Sequence, residues 1–214
     1  MDIMDLFEDE REESLSKLEK ETQINRNLIY SNQYERAIQS LGESKECTRL
    51  ILSSAKKILE HHNGDRYEDL YFIDASTNRC LYRNNYVSEI QKVEPTENML
   101  KMLNNNPNII ALHNHPDSML PSISDFFACE KRNYKYGLVL CHNGSIYQYK
   151  NIGILDDVNI EAAIAIYEKS ELSSLLSAQP YEAIKKAHEE HISQLLKSLE
   201  DFGIRFREVL HYER

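Results

Sequence analysis

The residues best placed for chemistry fall in one short run. His113-Asn114-His115-Pro116 is followed by the loop Pro116 to Pro121 and then by Ser122-Ile123-Ser124-Asp125. Two histidines at i and i+2 near the end of a strand project to the same side, so their imidazoles can converge on one ion while Asn114 faces away. Pro116 ends the strand, and the loop can carry the chain round so that Asp125, in the first turn of the next helix, completes the set. Two imidazoles and one carboxylate with a vacant fourth position are the donor set of a catalytic zinc, which needs that position for water. Zinc lowers the pKa of such a water from about 15.7 to roughly 7 and polarises a carbonyl oxygen. Each piece has a plainer reading. Ser122-x-x-Asp125 ahead of Phe126 and Phe127 is also a capping-box-like helix start, and a lone His-x-His is common at strand ends. Order and compactness favour the metal, because the whole set follows directly on the most hydrophobic strand of the chain.

Three other features look like sites and read better as structure. His188-Glu189-Glu190-His191 has its second histidine one residue too early for a His-Glu-x-x-His helix and fits a solvated face. His61-His62 precedes a turn, where adjacent side chains diverge on a helix and a C-terminal position is favoured by the helix dipole. Cys129, one turn after Asp125, suits a small buried residue behind the site. The four cysteines, at 47, 80, 129 and 141, form no Cys-x-x-Cys pair, which points to reduced thiols.

The elements needed to position the run can be read from periodicity. Ser44 to His62 places Leu50, Ile51, Ala55, Ile58 and Leu59 on one helix face and ends at Asn63-Gly64. Leu70 to Asp74, a turn at Ala75 to Asn78, and Cys80 to Tyr82 read as a hairpin. Thr96 caps a short helix through Leu103, and Asn108 to His113 is a buried-type strand. A helix over Ser124 to Arg132 precedes a second hairpin, Tyr136 to Cys141 and Ile146 to Tyr149, joined by Asn143-Gly144. Leu15 and Leu18 suggest a first helix and Gln33 to Leu41 another; two further helices are expected around 157–175 and 180–200, and a strand at Ile204 to Leu210.

The chain has 214 residues with 25 Lys+Arg against 35 Asp+Glu, a formal net charge of -10. That length fills one ordinary core with decoration. No apolar run approaches the roughly 18 residues of a membrane span, and the N-terminus is acidic where a signal peptide is basic, so a cytoplasmic protein is expected. Net acidity disfavours a nucleic-acid partner. By segment the net charge is -6 over 1–21, +1 over 22–42, 0 over 43–155 and -5 over 156–214. A neutral module between acidic helical flanks follows, and those flanks are either solvated or surfaces for a protein partner.

The motif resembles that of the JAB/MPN metallopeptidases, in which an upstream Glu is followed by His-x-His, a loop and Ser-x-x-Asp. The similarity covers roughly residues 44–155, and the form His-Asn-His-Pro is closest to the bacterial and phage branch, which includes RadC-type proteins. The loop is one residue shorter than is usual there. The resemblance implies an α+β fold with a central mixed sheet flanked by helices, divided as an N-terminal extension (1–42), a zinc metallopeptidase domain (43–155) and a C-terminal extension (156–214). It implies Zn²⁺ on His113, His115 and Asp125, with Ser122 stabilising an oxyanion. It also implies a Glu general base, for which Glu68 is the choice; it lies 45 residues before His113 and just ahead of the strand Leu70 to Asp74. Asp69 and Glu89 are the alternatives. By alternation Glu68 shares a face with Leu70 and Phe72, and Asp69 shares one with Tyr71 and Ile73. The expected activity is hydrolysis of peptide or isopeptide bonds in a protein or peptide substrate. The competing expectations are a metal-stabilised, non-catalytic interaction module and a RadC-like role in DNA repair.

Overall fold

A computed structural model of the chain describes residues 22–84, 95–103, 106–151 and 204–212. The expected helices around Leu15 and over 157–175 and 180–200, together with Glu89 and His188 to His191, lie outside those residues. The first described elements are the helices α1 (Arg26–Ile29), α2 (Asn32–Gln39) and α3 (Lys45–His61). Each begins at a residue chosen for its side-chain acceptor. Asn25, Ser31 and Ser44 receive the N–H groups of Leu28, Tyr34 and Cys47, which would otherwise be unsatisfied in the first turn.

The strands β1 (Leu70–Asp74) and β2 (Arg79–Asn84) form the expected hairpin. The helix α4 (Glu97–Leu103) follows, with the Met99 N–H held by the Thr96 hydroxyl at 3.4 Å. Then come β3 (Ile109–His115), the helix α5 (Ile123–Lys131), β4 (Tyr136–Cys141), β5 (Ile146–Asn151) and β6 (Ile204–Leu210). Together they make a mixed α+β architecture with one six-stranded sheet in the order β2-β1-β3-β4-β5-β6. Among the described residues only the β3–β4 pair is parallel. Parallel neighbours need a crossover connection, and here that crossover is the motif loop and α5. His113 and His115 therefore end the strand that enters this crossover, and Ser122 and Asp125 open its helix.

Alternation along the strands sorts the core into two layers. On the back face Tyr71, Ile73, Ile110, Leu112, Leu138 and Leu140 meet the buried residues of α1, α2 and α3. On the front face Leu70, Phe72, Ala111, Val139, Tyr147 and Tyr149 meet Met99 and Leu103 of α4 and Phe126 and Cys129 of α5. Helices thus cover both faces. Residues 22–41 supply Ile29, Tyr34 and Ile38 to the back layer, all fully buried, so the core continues through the boundary expected near residue 43. β6 likewise completes the central sheet, pairing Asn151 with Ile204 and Tyr149 with Phe206. Among the described residues no helix is long and apolar enough to cross a membrane.

Candidate metal centre

β3 runs two residues further than the apolar pattern suggests, because His113 and His115 both pair with β4, opposite Val139 and Cys141. Their side chains follow Ile109 and Ala111 onto the front face and are nearly buried, with 5% and 10% of their side-chain surface exposed. The Nε2 atoms lie 3.1 Å apart. Asp125, on the first turn of α5, completes the triangle, with Oδ1 at 3.1 Å from His113 Nε2 and Oδ2 at 3.7 Å from His115 Nε2. Donors about 2.0–2.2 Å from a tetrahedral zinc stand roughly 3.3–3.6 Å from one another. The three separations bracket that value.

The tautomer of His115 agrees with an ion at this point. His115 donates Nδ1–H to the Met119 carbonyl at 2.9 Å, which leaves the lone pair on Nε2 in neutral imidazole. Two imidazole nitrogens and a carboxylate oxygen aimed at one spot share a single proton poorly, and a cation satisfies all three. Met119 is a contributor that sequence reasoning missed. Only the carbonyl matters, so no residue type signals it. The turn that presents it is built by Asp117, which accepts the Met119 N–H at 3.2 Å, and by Ser118 at φ 60°, whose N–H reaches the His115 carbonyl at 3.1 Å.

Ser122 is both a cap and a clamp. Its hydroxyl accepts the Asp125 N–H at 3.3 Å, while Asp125 Oδ2 receives the Ser122 N–H at 2.7 Å and hydroxyl at 2.8 Å. The capping box fixes the rotamer of the ligand. Burial by itself raises the Asp125 carboxyl, but the charge and hydrogen bond of His113, with His115 and Ser122, outweigh it and hold the group well below the usual carboxylate range.

Glu68 shares the environment of this cluster. Burial lifts its carboxyl to about 7; His115 draws it down, Asp125 and Asp117 push it up, and His62 draws it down. The carboxyl is thus near enough to feel the charges of His115 and Asp125 on one side and of His62 on the other. Asp69 points the other way and is fully buried. Its oxygens are held by His61 Nδ1 at 3.0 Å and His62 Nε2 at 2.8 Å. Here the expectation that His61 and His62 diverge is corrected: His62 is the C-cap, at φ -107° and ψ 24°, and leaves the helical path so that both rings reach Asp69. His61, His62 and Asp69 are a second group that could hold a metal. However, His62 Nδ1 also meets Asp65 at 3.0 Å, so this ring has a carboxylate at each nitrogen, which favours its charged form. Burial lowers its pKa, but the bonds to Asp69 and Asp65 prevail and raise it.

Aromatic rings close the front. Tyr149 stands edge-on to His113 at 6.1 Å and to Phe126 at 5.5 Å. It fits because Gly137 lies opposite it on β4; a Cβ there would come within 1.9 Å of the Tyr149 ring. Cys129 is buried in the same layer, as expected. A cavity of about 470 Å³ lined by Gln148, Lys150, Arg205, Phe206 and Arg207 includes none of the triangle's residues. Comparison with protein-family models, with curated proteins and with solved structures gives no match for this chain.

Proposed function

We propose that the protein is a zinc-dependent hydrolase of peptide or isopeptide bonds, with a fold and motif of the JAB/MPN type. The observation that carries this reading is the triangle of His113 Nε2, His115 Nε2 and the Asp125 carboxylate at tetrahedral-edge spacing, with the Glu68 carboxyl near enough to feel the charges of His115 and Asp125. His113, His115 and Asp125 hold the ion; when bound, zinc acidifies a water and polarises the scissile carbonyl. Met119 keeps the His115 lone pair on Nε2, and Ser122 keeps Asp125 in its rotamer. Glu68 accepts the proton of the attacking water and returns it to the leaving amine. A carboxylate that can take up a proton and release it again serves both halves of that transfer. The Ser122 hydroxyl is engaged with Asp125, so a role toward a substrate oxyanion needs it to exchange partners when substrate arrives.

The test is direct. Purified protein should carry one zinc per chain, lost in His113→Ala and in Asp125→Ala. With a proteome-derived peptide library, mass spectrometry should find new termini with the wild type and none with Glu68→Gln, which should keep its zinc. A wild-type protein that takes up no zinc sinks the proposal, and cleavage by Glu68→Gln removes Glu68 from it.

A further inference from the structure

The residue between the two histidines lies on the opposite face of β3. Asn114 follows Ile110 and Leu112 onto the back layer and is fully buried. A polar amide among aliphatic neighbours is costly unless every group is paired, and here each one is. Oδ1 accepts the Asp69 N–H at 2.8 Å, and Nδ2 donates to the Tyr67 carbonyl at 3.0 Å and to His142 Nε2 at 3.2 Å. The orientation of the amide follows from these partners, since the Asp69 N–H can only donate and the Tyr67 carbonyl can only accept.

Tyr67 and Asp69 flank Glu68. The ladder between β1 and β3 begins at Leu70 opposite His113, so Glu68 lies beyond the last backbone pair. The Asn114 amide takes over one step past that point, binding the peptide group before Glu68 and the one after it. His142 supports the amide in turn. Its Nδ1–H is donated to the Thr22 carbonyl, which leaves Nε2 as the acceptor for Asn114. Thr22 is itself held by the Gly64 N–H at 3.1 Å, and Asn25 donates its N–H to the His142 carbonyl at 2.7 Å.

We propose that Asn114 is a positioning residue, which fixes the backbone on both sides of Glu68 and thereby aims its carboxylate at the site formed by His113, His115 and Asp125. This rests on the metal site and base of the proposed function and adds to it how the base is held. The same strand thus presents ligands on its front and the base's anchor on its back. A buried amide serving the core alone would need no particular partners; this one binds the two peptide groups that bracket a single residue.

Acetohydroxamate tests the idea without a known substrate. It chelates zinc through two oxygens, and its proton is taken by a neighbouring base, so its affinity reports where that base is. In zinc-loaded protein, Asn114→Ala should keep one zinc per chain and lose acetohydroxamate affinity by about tenfold, a loss typical of removing an outer-shell partner. Glu68→Gln should lose a similar amount, and the double variant should be no weaker than Glu68→Gln alone, because both act through one group. Leu112→Ala, which weakens the same layer of the core without touching the amide network, should keep wild-type affinity. Asn114→Thr, with one acceptor left for the Asp69 N–H and the amide donors removed, should keep zinc and show an intermediate loss, which covers the case in which Asn114→Ala does not fold. Wild-type affinity in either Asn114 variant, full additivity with Glu68→Gln, or an equal loss in Leu112→Ala overturns the proposal. Absence of zinc from the wild type would instead overturn the function on which it rests.

Discussion

Asp125 accepts both the backbone N–H and the hydroxyl of Ser122 on the same carboxylate oxygen, at 2.7 and 2.8 Å. A helix cap and a ligand clamp are therefore one structure. The capping interaction fixes where α5 starts, and the start of α5 fixes where the carboxylate meets His113. Ser122→Ala should cost about 1 kcal/mol of stability, as lost N-caps do. It should also weaken zinc binding by roughly 10–100-fold through the loosened Asp125. Thermal melting and chelator competition read the two effects separately. Unchanged zinc affinity with lowered stability would leave Ser122 as a cap alone.

Gly137 and Tyr149 form a second pair that bears on the site. The tyrosine ring occupies the space that a Cβ on β4 would need, and its edge rests against His113. Gly137→Ala should destabilise the protein by about 1–3 kcal/mol, the range for overpacking a closed core, and should displace the Tyr149 ring toward His113. Gly137→Ala combined with Tyr149→Phe does not relieve the overlap with the ring, whereas Tyr149→Leu does. Recovery of stability by the Leu combination, measured by urea unfolding, checks the contact; equal stability of the two combinations would show that the ring is not the obstacle.

Much of this arrangement was written in local patterns, and what was not follows from the reach of those patterns. Period-two alternation sent Asp69 to the face of Tyr71 and Ile73, where it meets His61 and His62. Turn chemistry marked the Asn143-Gly144 connection, where Gly144 sits at φ 98°. The convergence of His61 and His62 escaped because it depends on the C-cap leaving the helical path, a step that helical geometry does not foretell. Met119 escaped because a carbonyl carries no residue signature. The burial of residues 22–41 against α3 and the sheet escaped for a different reason: a short, polar-rich stretch shows its apolar face only once its partner surface is known. Asn114 was legible as facing away from the ion, but its partners lie 45 and 28 residues off in sequence, beyond any local reading.

His142 links the N-terminal residues to the back of β3 and must stay neutral to do so. Burial, opposed by the Thr22 carbonyl, pushes its pKa down to about 4, against roughly 6.5 in an unfolded chain. Between those values the unfolded state binds the proton and the folded state does not, so stability falls as pH falls from 6.5 toward 4. The loss should approach about 3 kcal/mol at the acid end. His142→Gln should flatten this part of the stability-pH curve, as measured by urea unfolding at each pH. An equally steep curve in the variant would place the acid sensitivity in other groups.

Glu68 should act in the opposite direction in the metal-free protein. Its carboxyl is raised to about 7 in the folded state, chiefly by burial, against roughly 4.3 when unfolded. Over that interval the folded state holds the proton and the unfolded state does not, so this group lowers stability as pH rises from 4.3 to 7. The half-buried setting limits the effect to about 1–3 kcal/mol. Glu68→Gln, which carries the neutral shape permanently, should therefore be more stable than the wild type above pH 7 and equal to it below pH 4. Zinc should narrow the difference, because a cation in the triangle favours the charged carboxylate nearby. Metal-free melting curves for the two proteins at pH 4 and pH 8, repeated with zinc, carry the comparison. A Gln variant that is no more stable at pH 8 without metal would mean that Glu68 is solvated rather than held against the site.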